Sequence, residues 1–480
     1  MPALTVRVEF ISIRVEPRVE ASLYRGAFLF VKGERNMKLF NSLHNKVEAF
    51  KPMNENEVSM YVCGPTVYNY PHIGNARPII VFDTLKKTFE ALGYKVKFVS
   101  NFTDVDDKII KKAIEMNVDE KTITEHFINA YNADRQSLNA DLPDVTPRVT
   151  ETMDEIIDFI KLLVDKGFAY EIDGDVYFRV NKIDDYGQLS NQQIEDLMVG
   201  ARIDENALKE NPLDFTLWKK TEEGIKWDSP WSKGRPGWHS ECVVMINNEF
   251  HQHQIDIHGG GMDLKFPHHE NEIAQSEAAY GTHIANYWLH NGMVNIDGEK
   301  MSKSLGNVIW VKDIVEKLGG NVVRWLMLSA HYRAPLNLND QAVETAQTEL
   351  EKIKTSLKQA YVKLGLAGIE LAGNPDETLW QAFLDAMSDD LNTHNAFKAL
   401  FDTNKQLNAA VRTREIDYGR VAALVITIEK MLYVLGIKLD RIVLSDDDKD
   451  VFANWNQAKA EKNFEAADQY RAVLMERGLL

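Results

Sequence analysis

Two cysteines, a histidine and a glutamate are the first residues in this chain whose types and spacing could do chemistry. The run Asp256-Ile257-His258-Gly259-Gly260-Gly261-Met262-Asp263-Leu264-Lys265-Phe266-Pro267-His268-His269-Glu270-Asn271-Glu272 predicts a helix starting at Pro267, where a missing N–H costs nothing. Asp263 or Lys265 would close a glycine turn before it, and the helix should run to about Tyr280 with Gly281 as the stop. On that helix His268 and Glu272 are i and i+4, so both project from one face. A neutral imidazole and a carboxylate so placed are half of a zinc site, which two thiolates would complete. The chain holds two cysteines, Cys63 and Cys242. If both reach this helix, a metal has Cys, Cys, His and Glu around it. The same residues have a plainer reading, as a solvated helix-face pair and two buried thiols, and no tight Cys-x-x-Cys spacing argues otherwise. The triple glycine favours the metal, because it brings backbone close to something.

Two further stretches suit phosphate. Val58 to Cys63 reads as a buried strand ended by Gly64-Pro65, and a helical pattern runs from Ala76 to Leu92 with Gly93 behind it. Between them lies His72-Ile73-Gly74-Asn75. A helix N-terminus offers unpaired N–H groups and a positive dipole end, and His72 and Asn75 can add side-chain donors on the same rim. The second stretch is Met293-Val294-Asn295-Ile296-Asp297-Gly298-Glu299-Lys300-Met301-Ser302-Lys303-Ser304. A short strand and an Asp-Gly turn there deliver two lysines three apart, able to neutralise charge growing on a transferring phosphoryl group. Either stretch alone would pass for a solvated loop.

The elements that must position these residues follow from the pattern around them. Lys95 to Phe102 is a second strand, so strand–helix–strand implies a parallel, right-handed crossover. Thr103-Asp104-Val105-Asp106-Asp107-Lys108 then puts three carboxylates at a strand's carboxyl end, where open α/β sheets bind ligands; one Asp would cap the next helix, and three exceed a cap's need. From about 109 to 229 the pattern is helical and mixed, with a hairpin at Tyr170-Glu171-Ile172-Asp173-Gly174-Asp175-Val176-Tyr177, and reads as an insertion splitting one sheet. The sheet is expected to resume near Gly237-Trp238-His239-Ser240-Glu241-Cys242. After about Gln341 the text changes to amphipathic helices, with candidates at 342–364, 376–387, 392–412 and 418–436 and a helical hairpin over 447–478 broken near Lys462-Asn463.

Composition narrows the class. The chain has 480 residues, enough for about three domains. Its two cysteines build no disulfide framework and fit a reducing cytosol, and no apolar run approaches the ~18 residues of a membrane span. A net charge of −17 argues against broad attraction to nucleic acid but leaves room for local basic patches. Residues 1–36 carry six Arg or Lys and four Glu without a continuous apolar core, which fits neither a secretory signal nor an acid-poor transit peptide. Met37 opens a cleaner beginning, so 1–36 reads as a disordered extension or as a start placed upstream of the real one.

Together these motifs resemble the class I aminoacyl-tRNA synthetases, with His72–Asn75 matching the first signature and Lys300–Ser304 the second. Within that class the chain is similar to the cysteinyl-tRNA synthetase family from about Met37 onward. The marks are Tyr61-Val62-Cys63-Gly64-Pro65-Thr66-Val67-Tyr68, Phe102 to Lys108, Gly237 to Cys242 and the histidine–glycine run. The resemblance implies a split Rossmann-like parallel-sheet α/β catalytic domain with an inserted connective domain, an all-α helical bundle and a small C-terminal helical anticodon-binding region. The expected division is catalytic first half 37–110, insertion 111–230, second half 231–290, stem-contact region with the lysine loop 291–341, tRNA-binding bundle 342–440 and C-terminal region 441–480.

The family's site residues carry over by position. Cys63, Cys242, His268 and Glu272 match its ligands for one zinc per chain. His258 falls on a histidine at the amino-acid pocket and Trp238 on an aromatic wall of it. His72 and Asn75 match the first signature on ATP, Lys303 the ATP-binding lysine, and Lys300 stands beside it. The implied partners are L-cysteine, ATP with magnesium, and tRNA(Cys), for a cytoplasmic monomer with no membrane role. Soft-ligand coordination would separate a thiolate from serine's hydroxyl where shape alone gives only ~1–3 kcal/mol.

Two departures stand out. The family's first signature often ends in His, where this chain has Asn75, an amide that donates but cannot be protonated. Relatives also usually run on beyond the position of Leu479-Leu480 through a basic segment with a tryptophan, so the last part of anticodon recognition is open. Three rival readings remain. A ligase joining cysteine to a sugar amine needs no long helical region. A zinc hydrolase using His258, His268 and Glu272 leaves the lysine loop idle. An RNA-binding scaffold with a closed zinc site would have no affinity for free cysteine.

Overall fold

The computed structural model describes residues 37–191, 209–300 and 307–480. The expectations for 1–36 and for Lys303 lie outside these described residues, as do statements about the Lys300 side chain.

The chain opens with an antiparallel pair, β1 (Lys38–Asn41) and β2 (Lys46–Ala49). Then β3 (Glu57–Val62) leads through a loop into α1 (Ile73–Ala91) and back to β4 (Lys95–Ser100), which lies parallel to β3. Next come α2 (Asp107–Met116), α3 (Glu120–Ser137) and α4 (Met153–Asp165). A five-stranded antiparallel sheet follows, built from β5 (Ala169–Ile172), β6 (Asp175–Phe178), β7 (Phe215–Lys220), β8 (Trp227–Asp228) and β9 (Lys233–Pro236) in the order β5-β6-β7-β9-β8. The expected Asp-Gly turn joins β5 to β6, with Asp173 and Gly174 both at positive φ. The parallel sheet resumes with α5 (Glu241–Phe250), β10 (Ile255–Gly261), α6 (Glu270–Tyr280) and β11 (Ala285–Asn291).

That sheet has the order β11-β10-β3-β4, all parallel. Its two halves, separated in sequence by the antiparallel insertion, meet where β3 pairs with β10. From that seam one crossover runs outward to β4 and the other to β11. The carboxyl edge of such a seam is where ligands of open α/β sheets sit. Helix α1 is buried along most of its circumference, from Ile73 to Phe89, because it lies between the sheet and the helices that follow. Its buried polar residues are therefore paired. Lys87 Nζ lies 2.8 Å from Asp83 Oδ2, and Arg324 also bonds that carboxylate.

Beyond β11 come β12 (Val294–Ile296), β13 (Glu299–Lys300), α7 (Val311–Leu318), α8 (Gly320–Ser329) and β14 (Leu336–Leu338). The helical region holds α9 (Asp340–Leu366), α10 (Glu377–Ser388), α11 (Thr393–Ala410) and α12 (Tyr418–Leu435), then α13 (Asp446–Ala460) and α14 (Phe464–Glu476). Side chains of Asn339, Asp376, Asn392, Asp417, Ser445 and Asn463 cap these six helices at their N-termini, which explains why the sequence marked their starts so closely. Among the described residues no helix is long and apolar enough to cross a membrane.

Three expectations need correction. Gly237–Cys242 is not a strand: it is a turn leading into α5, and Cys242 is that helix's second residue. The glycines are not a turn either. Gly259–Gly261 complete β10, and a Cβ on Gly259 would lie 2.3 Å from the Phe82 ring, so the missing side chain of Gly259 lets α1 press against the strand. The regular helix then begins at Glu270 rather than Pro267, after a wider turn over Lys265–His269 in which Phe266 is extended. Gly281 stops it in the left-handed conformation, as expected.

Candidate functional site

Cys63 follows β3 directly and donates its N–H to the carbonyl of Gly259 on β10 (3.1 Å), so it stands at the seam of the sheet. Gly64 comes next because a Cβ there would fall 1.6 Å from the Asn101 carbonyl oxygen. Cys242 enters from the first turn of α5, His268 from the wide turn and Glu272 from the first turn of α6. Cys63 Sγ lies 3.7 Å from Cys242 Sγ and 3.8 Å from Glu272 Oε1. Cys242 Sγ is 3.7 Å from His268 Nε2, and His268 Nε2 is 2.8 Å from Glu272 Oε1. All four donor atoms fall within 4.8 Å of one another, and only Cys63 is not fully buried.

These spacings can be tested against a metal shell. Zinc–sulfur bonds of about 2.3 Å at tetrahedral angles place two sulfurs about 3.8 Å apart, and zinc–nitrogen bonds of about 2.0–2.1 Å place sulfur and nitrogen about 3.5–3.6 Å apart. The sulfur–sulfur and sulfur–nitrogen distances here meet both within about 0.2 Å. The His268–Glu272 contact is shorter than such a shell needs (about 3.4 Å), as suits a hydrogen-bonded pair. A mixed sulfur, nitrogen and oxygen set is also zinc's chemistry. The residues therefore fit zinc.

Electrostatics point the same way. Burial opposes ionisation of Glu272, yet His258 and His268 hold its carboxyl well below the usual range. Burial likewise opposes the His268 cation, but the Glu272 carboxylate and the Cys242 sulfur push it up to about 10. Low-polarity surroundings and the neighbouring Cys242 raise the Cys63 thiol, while the hydrogen bond from Cys63 brings Cys242 down to about 6. Two sulfurs this close share one proton unless a cation joins them.

A second set of donors, Cys63, His258, His269 and Glu272, converges on the same space. His258 lies in β10, with Nε2 2.6 Å from Glu272 Oε2 and its ring stacked 4.5 Å from Trp288. Its buried Nδ1 has no hydrogen-bond partner among the described residues. His269 Nδ1 is 2.8 Å from His290 Nε2, and His290 Nδ1 is 2.8 Å from Ser42 Oγ, so His269 already belongs to a chain of side chains. The set with both sulfurs is the better shell. Trp238 stacks on the His268 ring at 4.2 Å and stays about 40% exposed, a rim position beside the donors.

The His72–Asn75 turn opens α1. His72 is the N-cap; its N–H donates to Asn75 Oδ1 at 3.0 Å, and Asn75 N–H donates to the His72 carbonyl at 2.7 Å. The Asn75 oxygen is thus spent on its own turn, which leaves the amide NH₂ as its donor. The turn is also tied to the strand of chain after the lysine loop: Ile73 N–H donates to the Ile309 carbonyl (2.8 Å) and Val311 N–H to the Pro71 carbonyl (2.9 Å).

Comparison with known proteins adds to this geometry. Residues 49–348 match the family described as tRNA synthetases class I (C) catalytic domain, and residues 382–440 match the DALR domain. A cysteine–tRNA ligase of Geobacillus sp. (strain WCH70) is 48% identical over 453 residues, covering 93% of this chain and 97% of that protein. One from Halalkalibacterium halodurans is 47% identical over 451 residues, covering 92% and 97%. The chain belongs to the cysteine–tRNA ligase family. Solved class I synthetases share its fold. A Mycobacterium tuberculosis methionyl-tRNA synthetase in complex with methionyl-adenylate aligns with a TM-score of 0.59 at 15% identity, over 79% of this chain and 89% of that one. A ternary complex of an Agrobacterium radiobacter LeuRS with tRNA aligns at 0.57 and 13%, over 81% and 84%.

In this cysteine–tRNA ligase the structure brings Cys63, Cys242, His258, His268, Glu272 and Trp238 to one place, with His72 and Asn75 at the start of the helix behind the seam. Three carboxylates expected near the ligand edge turn out to serve the fold. Asp106 caps α2, Asp104 Oδ1 accepts from the Thr150 N–H (3.0 Å), and Asp107 pairs with Arg235. Sequence reasoning passed over His239, His269, His290 and Trp288. His239 Nδ1 is 3.1 Å from His268 Nδ1, so it orients that ring. The available signals were adjacency and strand period: His269 follows His268, His239 follows Trp238, and Trp288 and His290 alternate on β11 to share a face.

Proposed function

We propose that this cysteine–tRNA ligase activates L-cysteine with ATP to cysteinyl-adenylate and transfers the cysteinyl group to the 3′ end of tRNA(Cys). The observation that carries the reading is the convergence of Cys63, Cys242, His268 and Glu272 at the sheet seam, with the His72–Asn75 turn opening the neighbouring helix. Those four residues would hold one zinc. When bound, zinc supplies a soft centre that prefers the substrate's thiolate to a hydroxyl. Trp238 and His258 would line the amino-acid pocket.

In the first step a carboxylate oxygen of cysteine bonds to the α-phosphorus of ATP, and pyrophosphate leaves with the electrons of the broken P–O bond. Positioning and charge neutralisation carry most of such a transfer, and no general base is assigned. The positive dipole end of α1, His72 and the Asn75 NH₂ would hold ATP, which brings magnesium. Lys303, with Lys300 beside it, would meet charge that grows on the leaving phosphates. In the second step a hydroxyl of the terminal ribose attacks the cysteinyl carbonyl and AMP leaves.

The assigned parts are the catalytic halves 37–110 and 231–290, the insertion 111–230, the stem-contact region 291–341, the tRNA-binding bundle 342–440 and the anticodon region 441–480. The long helical region suits a macromolecular acceptor rather than a sugar amine. We place the enzyme in the cytoplasm as a monomer, where its thiols stay reduced. Cysteine-dependent ATP–pyrophosphate exchange, then charging of tRNA(Cys), tests the reading; exchange that serine supports as well as cysteine sinks it.

A further inference from the structure

The corner between α10 and α11 holds an uncommon backbone shape. Asp390 (φ 58°) and Leu391 (φ 50°) both stand in the left-handed region, which a leucine rarely adopts because its Cβ crowds the following carbonyl. Such a conformation persists only where the surroundings over-determine it, and here they converge on one carboxylate. Asp390 is 4% exposed. Its Oδ1 accepts from the Phe40 N–H and the Tyr332 hydroxyl (2.8 Å each), and its Oδ2 accepts from Arg333 Nε (2.9 Å) and Nη2 (2.8 Å). Its own N–H donates to the Lys38 carbonyl (3.0 Å). The Arg333 guanidinium also lies 4.2 Å over the Phe40 ring. Partners from β1 and from the segment before β14 are more than a corner between two helices needs.

These contacts lead toward the lysine loop. The Tyr332 carbonyl accepts from the Gly292 N–H (2.8 Å), and a Cβ on Gly292 would lie 2.5 Å from the Ala334 carbonyl oxygen. The chain leaving β11 is therefore pressed against residues 331–334. From there β12 pairs in parallel with β14 and antiparallel with β13, and β13 ends at Lys300, where the lysine loop begins in the sequence. The same segment is tied to α1, because Arg77 donates to the carbonyls of Met293 and His331. Asp390 thus stands where the first strand, the frame of the lysine loop and the helical bundle meet.

We propose that Asp390 is a positioning residue for the transfer step. It fixes the bundle against the lysine-loop frame, so that a tRNA held by the bundle presents its 3′ end at the active site. This rests on the ligase reading and adds the residue that sets the geometry between its two parts. Adenylate formation uses the frame alone, and the frame keeps its Arg77 bonds and the β12–β14 pairing without Asp390. Transfer needs both parts in register, and a displacement of about 1 Å between reacting groups costs up to ~10²-fold in rate. Asparagine at 390 offers one acceptor oxygen where the carboxylate offers two, so either the Phe40 and Tyr332 side or the Arg333 side loses its bonds.

The test compares the full chain carrying Asp390→Asn with the unmodified protein. The kcat for charging tRNA(Cys) should fall about ten-fold while the KM for tRNA(Cys) stays within about two-fold. Cysteine-dependent ATP–pyrophosphate exchange should also stay within about two-fold. Arg333→Gln, at a half-exposed position, should move the ratio of charging to exchange in the same direction, and it supplies the reading if Asp390→Asn does not fold. Exchange and charging that fall in the same proportion overturn the proposal, because Asp390 then only supports the catalytic fold. A rise confined to the tRNA KM overturns it too, as does charging equal to that of the unmodified protein. If the unmodified protein performs the exchange yet does not charge tRNA(Cys), the ligase reading itself fails and the proposal goes with it.

Discussion

Replacing Cys242 by Ser examines the metal centre with the least disturbance elsewhere. The residue is buried on the second position of α5, and its sulfur lies 3.7 Å from both Cys63 Sγ and His268 Nε2. A serine oxygen stands closer to its own Cβ than sulfur does and does not ionise near neutral pH, so the shell loses one anionic donor. Four-ligand structural zinc sites bind with about 10–16 kcal/mol at pH 7. One of four comparable donors then stands for roughly 3–4 kcal/mol, which is about 10²–10³ in zinc affinity. Competition with a chelator of known affinity measures that loss directly. Zinc-edge absorption should find two sulfur neighbours near ~2.3 Å in the unmodified protein and one in the variant. Adding cysteine should raise the unmodified count to three, and adding serine should leave it at two. Cysteine affinity should drop with the metal while ATP binding is retained. A variant that keeps zinc within three-fold of the unmodified affinity refutes the assignment of Cys242. A sulfur count unmoved by cysteine makes the zinc structural and refutes the selection mechanism.

Lys303→Ala should lower kcat and kcat/KM for adenylate formation together, because the interaction it removes grows in the transition state; a defect confined to the cysteine KM contradicts that. Asp83→Asn leaves the buried Arg324 and Lys87 cations without their shared carboxylate, which should cost about 3–5 kcal/mol in denaturant unfolding. The carboxyl of Asp83 is held far below its ordinary value by Lys87 and Arg324 despite its burial. Its contribution is therefore complete above about pH 4 and fades as pH falls through the depressed value, and an acid-unfolding profile that Asp83→Asn leaves unshifted disproves it. A chain beginning at Met37 should charge tRNA nearly as well as the longer one, because no motif lies in 1–36; loss of most activity would overturn this.

What was legible in the sequence followed local rules. The helices of the last third begin where Asn, Asp or Ser can cap them, and the Asp173-Gly174 and Asp297-Gly298 turns have the positive φ their residues invite. The i,i+4 relation of His268 and Glu272 held because both stay on continuous helical turns even though Pro267 does not begin a regular helix. The errors came where tertiary contact overrides local signals. Gly259–Gly261 looked like a turn and are strand: Phe82 of α1 occupies the space a Gly259 side chain would fill, and Leu264 and His269 the space beside Gly260. The Asp104–Asp107 cluster looked like a ligand edge, but its partners Thr150 and Arg235 are distant in sequence and could not be foreseen. His239 and His290 were missed for the same reason: each matters through a histidine supplied by another element.

The two signature regions are more closely joined than their separation in sequence implies. Pro71 and Ile73 exchange backbone hydrogen bonds with Val311 and Ile309, across the start of α1 and the start of α7. The chain leaving the lysine loop is thus fixed to the turn that carries His72 and Asn75, and Lys312 adds to this by lying 4.0 Å over the Tyr70 ring. Arg77, one turn further along α1, donates to the carbonyls of Met293 and His331 (2.9 and 3.1 Å), which flank β12 and β14. Both sides of the lysine loop are therefore referenced to one helix. Because α1 is buried among the sheet and the later helices, it cannot shift without breaking the Asp83–Lys87–Arg324 cluster. On the proposed ligase reading, this fixes the described chain on either side of residues 301–306 to the same helix whose N-terminus is proposed to face the nucleotide.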